Sequence, residues 1–211
     1  MIKRNLKSII VSCAVLCIPM IVGLVLWNQL PDQMPSHFNF AGAVDSYSSK
    51  FFGVMGLPLI MLGAQILVVL AVANDPKNES VSDKIFTLIL WILPVVELVV
   101  ALSVYAVSLG YKVDINRLVF GLVGMIFIVI GNYLPKCRQS YTIGIRIPWT
   151  LDNEHNWNKT HRIGGYCFII AGLLCLVEMF VSTGILMAMG TIIACVVPII
   201  YSFILYKNGN V

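Results

Sequence analysis

The side chains with the most chemical potential lie in one polar stretch, Gly131 to Gly165, GNYLPKCRQSYTIGIRIPWTLDNEHNWNKTHRIGG. It holds five of the fourteen Lys and Arg residues, two of the three His and two of the four Trp. Arg146 sits between Ile145 and Ile147, and a guanidinium there matches a carboxylate or phosphate bidentately. Asp152 and Glu154 are the local carboxylates, and lipid phosphate is a further partner. Trp157 and His161 are four apart, which puts them on one helix face, with Asn158 and Arg162 on the neighbouring face. Arg146, Pro148, Trp149, Asn156, Trp157, Lys159, His161 and Arg162 thus make a candidate platform. The alternative is an amphipathic helix that only anchors the chain at the membrane surface. His155 and His161 are six apart, a poor spacing for one metal on one helix. No HExxH, GxSxG or phosphate-cradling glycine loop occurs, so no metal, cofactor or catalytic set is assigned and the chain reads as a non-enzyme.

The elements that must position these residues are membrane helices. Hydrophobic residues make up 59% of the 211 and charged ones 11%, where a soluble domain has roughly a quarter charged. Six apolar runs approach the length of about 20 residues that a bilayer requires: Ser8–Asn28, Phe51–Ala73, Ile85–Leu109, Leu118–Leu134, Ile163–Val181 and Gly184–Tyr206. The fold class is therefore all-α, a bundle of six transmembrane helices forming one integral membrane domain over 1–211. A loop at 30–50 lies on one side. On the other, a loop at 135–162 carries a short interfacial helix that starts at Thr150 or Asp152. The first run is too long for a cleaved signal core and lacks a small-x-small site, so it reads as a retained helix. With the N-terminus inside, eleven Lys and Arg fall on the inner side and three on the outer. That bias places both termini and the polar stretch in the cytoplasm. The net charge of +4 suits that face, and nothing indicates direct nucleic-acid binding. Five of the six Cys lie in the spans and Cys137 in a loop, with no CxxC pair, so they read as small apolar residues.

The outer segment, LPDQMPSHFNFAGAVDSYSSK, opens with two prolines that forbid a regular helix. His37, Asn39 and Asp45 alternate with apolar neighbours, and Gly42 permits a tight turn. This reads as a short extended segment, wet on one face and packed on the other. It is either a connector anchored by Phe38 and Phe40 or a ligand-facing patch. The connector Asn74–Lys84 has turn chemistry and reads as a solvated loop, with Ser82 or Asp83 capping the next helix. Within the spans, Gln65 offers an interhelical hydrogen bond. Glu97 and Glu178 are intramembrane carboxyls, which are costly and usually partnered. Glu97, three residues after Pro94, either finds a local hydrogen bond or lines a site for a cation, proton or amine.

Two segments resemble known families. LPDQMPSHFNFAGAVDSYSSK resembles the extracytoplasmic domain of unknown function found near the N-terminus of many bacterial membrane proteins. The Gly131–Gly165 stretch resembles the signature of the SdpI family of membrane immunity proteins: a Gly-Asn pair, Gly-Ile-Arg-x-Pro-Trp-Thr-Leu, then Trp-x-x-Thr-His-Arg-x-Gly-Gly. The resemblance spans essentially the whole chain. It implies a multi-pass protein of the bacterial plasma membrane that confers resistance to a secreted, membrane-active peptide toxin of the sporulation-delaying type. It also implies a signal-receptor role, holding a cytoplasmic autorepressor at the membrane. Carried over, Arg146, Pro148, Trp149, Trp157, His161 and Arg162 are its cytoplasmic pattern residues, and His37, Asn39, Gly42 and Asp45 its outer ones. The partners are then a peptide toxin, membrane lipids and that repressor. The residues alone leave a second reading, a membrane enzyme or transporter acting on a phosphate-bearing lipid or small cation.

Overall fold

The computed structural model describes residues 1–39, 42–77 and 81–209. Phe40, one of the two expected aromatic anchors, and part of the 74–84 connector lie outside the described residues. Among the described residues, six helices are long and apolar enough to cross a membrane: Lys3–Val25, Phe52–Ala73, Asp83–Ser108, Ile115–Lys136, Glu154–Val181 and Ile185–Lys207. The chain is an all-α multi-pass membrane protein. Its residues divide into two compact units, Met1–Ala71 with Phe86–Asn116, and Val72–Ile85 with Arg117–Val211.

In the first unit, the first span is two helices, α1 (Leu6–Leu16) and α2 (Ile18–Val25). Pro19 has no N–H to continue the ladder, so the chain steps at Cys17. The next segment forms more than the single extended stretch read from its alternation. Strand β1 (Gln33–Phe38) pairs antiparallel with β2 (Val44–Ser49) in a hairpin, with irregular register around His37. A proline is tolerated at position 35 because a two-stranded sheet consists of edges. The hairpin is anchored by Met34, fully buried with Leu30, Val54, Ala101 and Tyr105. Lys50 ties its far end down, donating to Trp27 O at 3.2 Å and pairing with Asp32 at 3.1 Å.

Helix α3 spans Leu57–Ala73 and α4 spans Asp83–Ser108. Ser82 Oγ accepts the Ile85 N–H at 3.3 Å, the N-cap read from the sequence. Pro94 lies inside α4 and cannot satisfy the carbonyl of Leu90 four residues back. Gln65 of α3 repairs the break, its Nε2 donating to Leu90 O at 2.9 Å and to Ser12 Oγ of α1 at 3.0 Å. Gln65 is thus a joint among three helices.

In the second unit, α5 (Ile115–Tyr133) packs on α7 (Glu154–Val181) through glycines. A β carbon at Gly131 would lie 2.7 Å from Gly165 O, and one at Gly124 would lie 2.9 Å from Gly172 O. Only glycine admits that approach, the small-residue contact typical of membrane helices. Helix α8 (Ile185–Lys207) packs along α7 and closes the unit.

The short helix expected to start at Thr150 or Asp152 starts at Glu154 instead. A five-residue helix, α6 (Pro148–Asp152), ends at Asn153, and the fifth span then runs unbroken from Glu154. The N-cap is Asn153, whose side chain accepts the Asn156 N–H at 2.9 Å, rather than Thr150 or Asp152. The first turns of α7 look too polar to be part of a span. They are helical because Asn156, Trp157, Thr160 and His161 form one buried face that continues into Gly164 and Gly165.

Candidate functional site

The signature residues between α5 and α8 meet around the ring of His161. Gly144 has φ +112, and a β carbon there would collide with His161 Nε2 and with the Trp157 ring. Glycine at this position lets the loop backbone lie on the imidazole. The next N–H, of Ile145, donates to His161 Nε2 at 3.0 Å. Since Nε2 accepts, the imidazole proton is on Nδ1, which donates to Trp157 O at 2.8 Å. Trp157 stacks on His161 with 3.9 Å between ring centroids, and its Nε1 donates to Cys137 O at 2.8 Å. Trp157 and His161 are both wholly buried.

Thr150 completes the loop. Its hydroxyl accepts the Ile147 N–H at 3.0 Å and lies 2.9 Å from Ile145 O and 2.8 Å from Ile147 O. Asn156 joins α7 to α8, donating to Ser202 O at 3.0 Å and accepting from Ser202 Oγ at 2.5 Å and Thr160 Oγ1 at 2.9 Å. Trp149 lies half-buried against Phe203 and Tyr206 of α8, with centroids at 5.5 and 5.8 Å.

The candidate platform therefore separates into two layers. Asn156, Trp157 and His161 lie beneath, unable to touch a partner directly, while Arg146, Pro148, Lys159 and Arg162 are exposed. The carboxylate pairing expected of Arg146 is not formed. Its Nη1 donates to Tyr141 O at 2.6 Å, and neither Asp152 nor Glu154 is its partner. Burial of Cys137 pushes its thiol up to about 11, so it is a neutral packing group here.

The 74–84 connector is not simply a solvated loop. Asp75 is only 3% exposed. Its Oδ2 accepts from Ser140 Oγ at 2.6 Å, Tyr141 N at 2.9 Å, Thr142 N at 2.9 Å and Thr142 Oγ1 at 2.7 Å. Its Oδ1 accepts the Lys77 N–H at 2.8 Å, an Asx turn. Burial alone would raise this carboxyl, but the hydroxyl and amide donors outweigh it and hold Asp75 below the usual carboxylate range. Lys77 Nζ donates to Gln139 Oε1, and Gln139 Nε2 donates to Thr150 O at 2.9 Å and Leu151 O at 2.7 Å. In the sequence Asp75 gives no sign of this contact, because an Asp-Pro step in a polar linker signals only a turn.

On the hairpin, His37 Nδ1 and Asp45 Oδ1 lie 2.6 Å apart, both exposed. Asn39 and Gly42 build the turn instead: Asn39 Oδ1 accepts the Ala43 N–H at 3.1 Å and Gly42 has φ +77. Beside the turn, a cavity of about 420 Å³ opens between Phe38, Gly42 and Val44 and the α4–α5 connection, Val107 and Tyr111–Ile115.

The two membrane carboxyls differ. Glu178 is a cap: it accepts from Thr183 N at 2.5 Å, Gly184 N at 2.7 Å and Leu186 N at 2.7 Å, closing the α7–α8 turn. Glu97 is 1% exposed and its Oε1 has no hydrogen-bond partner among the described residues.

The comparisons agree with this division of the chain. The model of the SdpI/YfhL protein family matches residues 136–202, and that of a domain of unknown function (DUF1648) matches residues 14–62. The chain is 27% identical over 214 residues to a protein of Bacillus subtilis (strain 168) named immunity protein SdpI, covering 97% of this chain and 99% of that one. No solved structure matches. The His161-centred loop lies in the first of these matches and the hairpin in the second, and the chain is a multi-pass membrane protein similar along nearly its whole length to a protein of the SdpI family.

Proposed function

We propose that this chain is a membrane immunity protein of the bacterial plasma membrane, protecting its cell from a secreted, membrane-active peptide toxin of the sporulation-delaying type. The observation that carries the reading is the end-to-end match to a protein named for immunity. The role proposed for the chain is non-enzymatic: it engages the toxin rather than consuming it. The hairpin faces outward, where the cavity beside Gly42 and Val44 and the His37–Asp45 pair meet the peptide. The His161-centred loop faces the cytoplasm, as the Lys and Arg bias indicates. It presents Arg146, Lys159 and Arg162 to lipid headgroups and to the autorepressor.

Challenge of a toxin-sensitive bacterium with the sporulation-delaying peptide tests the reading. Expression of the chain should raise survival while leaving the peptide intact in the medium. Equal killing with and without a well-expressed chain would contradict it.

One observation favours a second reading, a transporter of a small cation: Glu97 is buried and its Oε1 has no hydrogen-bond partner among the described residues. A buried carboxyl in a membrane helix is costly and commonly functional. Loss of function in Glu97→Gln at normal membrane level would favour that reading over a binding protein.

A further inference from the structure

The connector between α3 and α4 contributes a group to the signature loop that neither family resemblance nor motif spacing assigns. Four donors converge on one oxygen of Asp75, two of them backbone N–H groups and two hydroxyls, all within the run Ser140–Thr142. Ser140 is itself 1% exposed and its hydroxyl also accepts the Thr142 and Ile143 N–H groups at 3.1 and 3.2 Å. A turn of consecutive N–H and hydroxyl donors is an anion cradle, and here a carboxylate of the same chain fills it. The middle residue of that turn, Tyr141, offers its N–H to Asp75 and its carbonyl to the Arg146 guanidinium. Asp75 and Arg146 therefore hold opposite ends of one peptide residue.

We propose that Asp75 is a positioning residue for Arg146: by filling the Ser140–Thr142 cradle it fixes the Tyr141 carbonyl that seats the guanidinium, so the exposed cation is presented in one orientation. Arg146 is the reach of this surface and Asp75 is its mount. The second tie from the same connector, Lys77 to Gln139 and on to Thr150 and Leu151, steadies the far side of the loop. Charge-assisted hydrogen bonds of this kind are the stronger class, and removing the acceptor leaves several donors unsatisfied at once. The functional half of the inference rests on the immunity reading; the positional half does not.

The test uses the full chain in its membrane, with Asp75→Ala, Asp75→Glu, Arg146→Ala and the Asp75→Ala/Arg146→Ala double variant at matched membrane levels. Limited trypsin digestion reads loop order at Arg138 and Arg146, and cleavage at Lys159 and Arg162 in α7 reports global folding. Asp75→Ala should be cut at Arg138 and Arg146 about tenfold faster, the scale of losing one charged hydrogen-bond set, with α7 cleavage unchanged. Asp75→Glu, which keeps the acceptor, should lie between it and the native chain. In the survival assay Asp75→Ala should lose protection, and the double variant should be no worse than Arg146→Ala. Native cleavage rates in Asp75→Ala would overturn the positioning claim, as would protection losses that add in the double variant. A native chain that gives no protection would remove the immunity reading alone, and the cleavage rates would still decide whether Asp75 holds the loop.

Discussion

The backbone of Gly144 lies against the His161 ring, and the following N–H, of Ile145, donates to its Nε2 at 3.0 Å. That contact explains why a glycine precedes Ile-Arg and why a histidine lies on α7. A β carbon at position 144 would meet both the imidazole and the Trp157 ring while adopting φ +112. Gly144→Ala should lower stability by about 1–3 kcal/mol, the usual cost of a residue held in such a backbone conformation. Thermal unfolding in detergent measures it, and an unchanged midpoint would show that the loop can back away from the ring.

His161 acts as a neutral acceptor and donor at once, so its substitutes should rank by what they preserve. His161→Phe keeps the stack on Trp157 but leaves the Ile145 N–H unpaired, and should destabilise by about 1–3 kcal/mol. Amide hydrogen exchange at Ile145 should rise in that variant. Slow exchange there would mean that another acceptor takes the proton.

Gly131 and Gly165 set the approach of α5 to α7, each with its carbonyl 2.7 Å from where the other's β carbon would be. Gly131→Val should separate the helices and cost roughly 1–3 kcal/mol or more, the penalty for overpacking a close contact. Gly63, whose β carbon would meet nothing within 4 Å, is the control. Loss of folded protein in Gly131→Val but not in Gly63→Ala is the expected pattern.

Asp75 predicts the acid limit of the loop. Its carboxyl is held below the usual range, so it gives up its proton more readily folded than unfolded. The stabilisation is complete above the unfolded pKa, about 3.9, and is lost as pH falls through the lower folded value. Trypsin-independent probes, such as amide exchange at Tyr141 and Thr142, should be flat from neutral pH down to about 5 after correction for intrinsic rates. A transition near neutrality would assign the loop's order to another group.

The spans, their number and the grouping of polar residues were legible in the sequence because hydropathy and motif spacing act over long windows. Local detail was not. The Glu154–Arg162 stretch is helical yet carries charge on its outer face, so a hydropathy window excludes it although Asn156, Trp157, Thr160 and His161 are buried. Asn156, Trp157 and His161 could be read as parts of a surface because recognition and burial favour the same residue types. Only the partners, Ser202, Cys137 and Ile145, tell the two apart. Asp75 is 66 residues from Tyr141, and nothing in a single sequence links two such positions. The hairpin was half visible: the His37–Asn39 alternation shows one strand, while Asp45–Ser49 carries too little apolar character to show its mate.

The central claim is that this chain confers immunity and that Arg146 carries part of it. Arg146 is exposed and donates a hydrogen bond to Tyr141 O, so Arg146→Ala should change stability by less than about 0.5–1 kcal/mol. The most direct measurement is survival of a toxin-sensitive bacterium under the sporulation-delaying peptide, comparing the native chain with Arg146→Ala at equal membrane level. Protection by the native chain and its loss in the variant is the predicted result. Equal protection by both would contradict the role given to Arg146, and killing of cells that hold the native chain in their membrane would contradict immunity to that toxin.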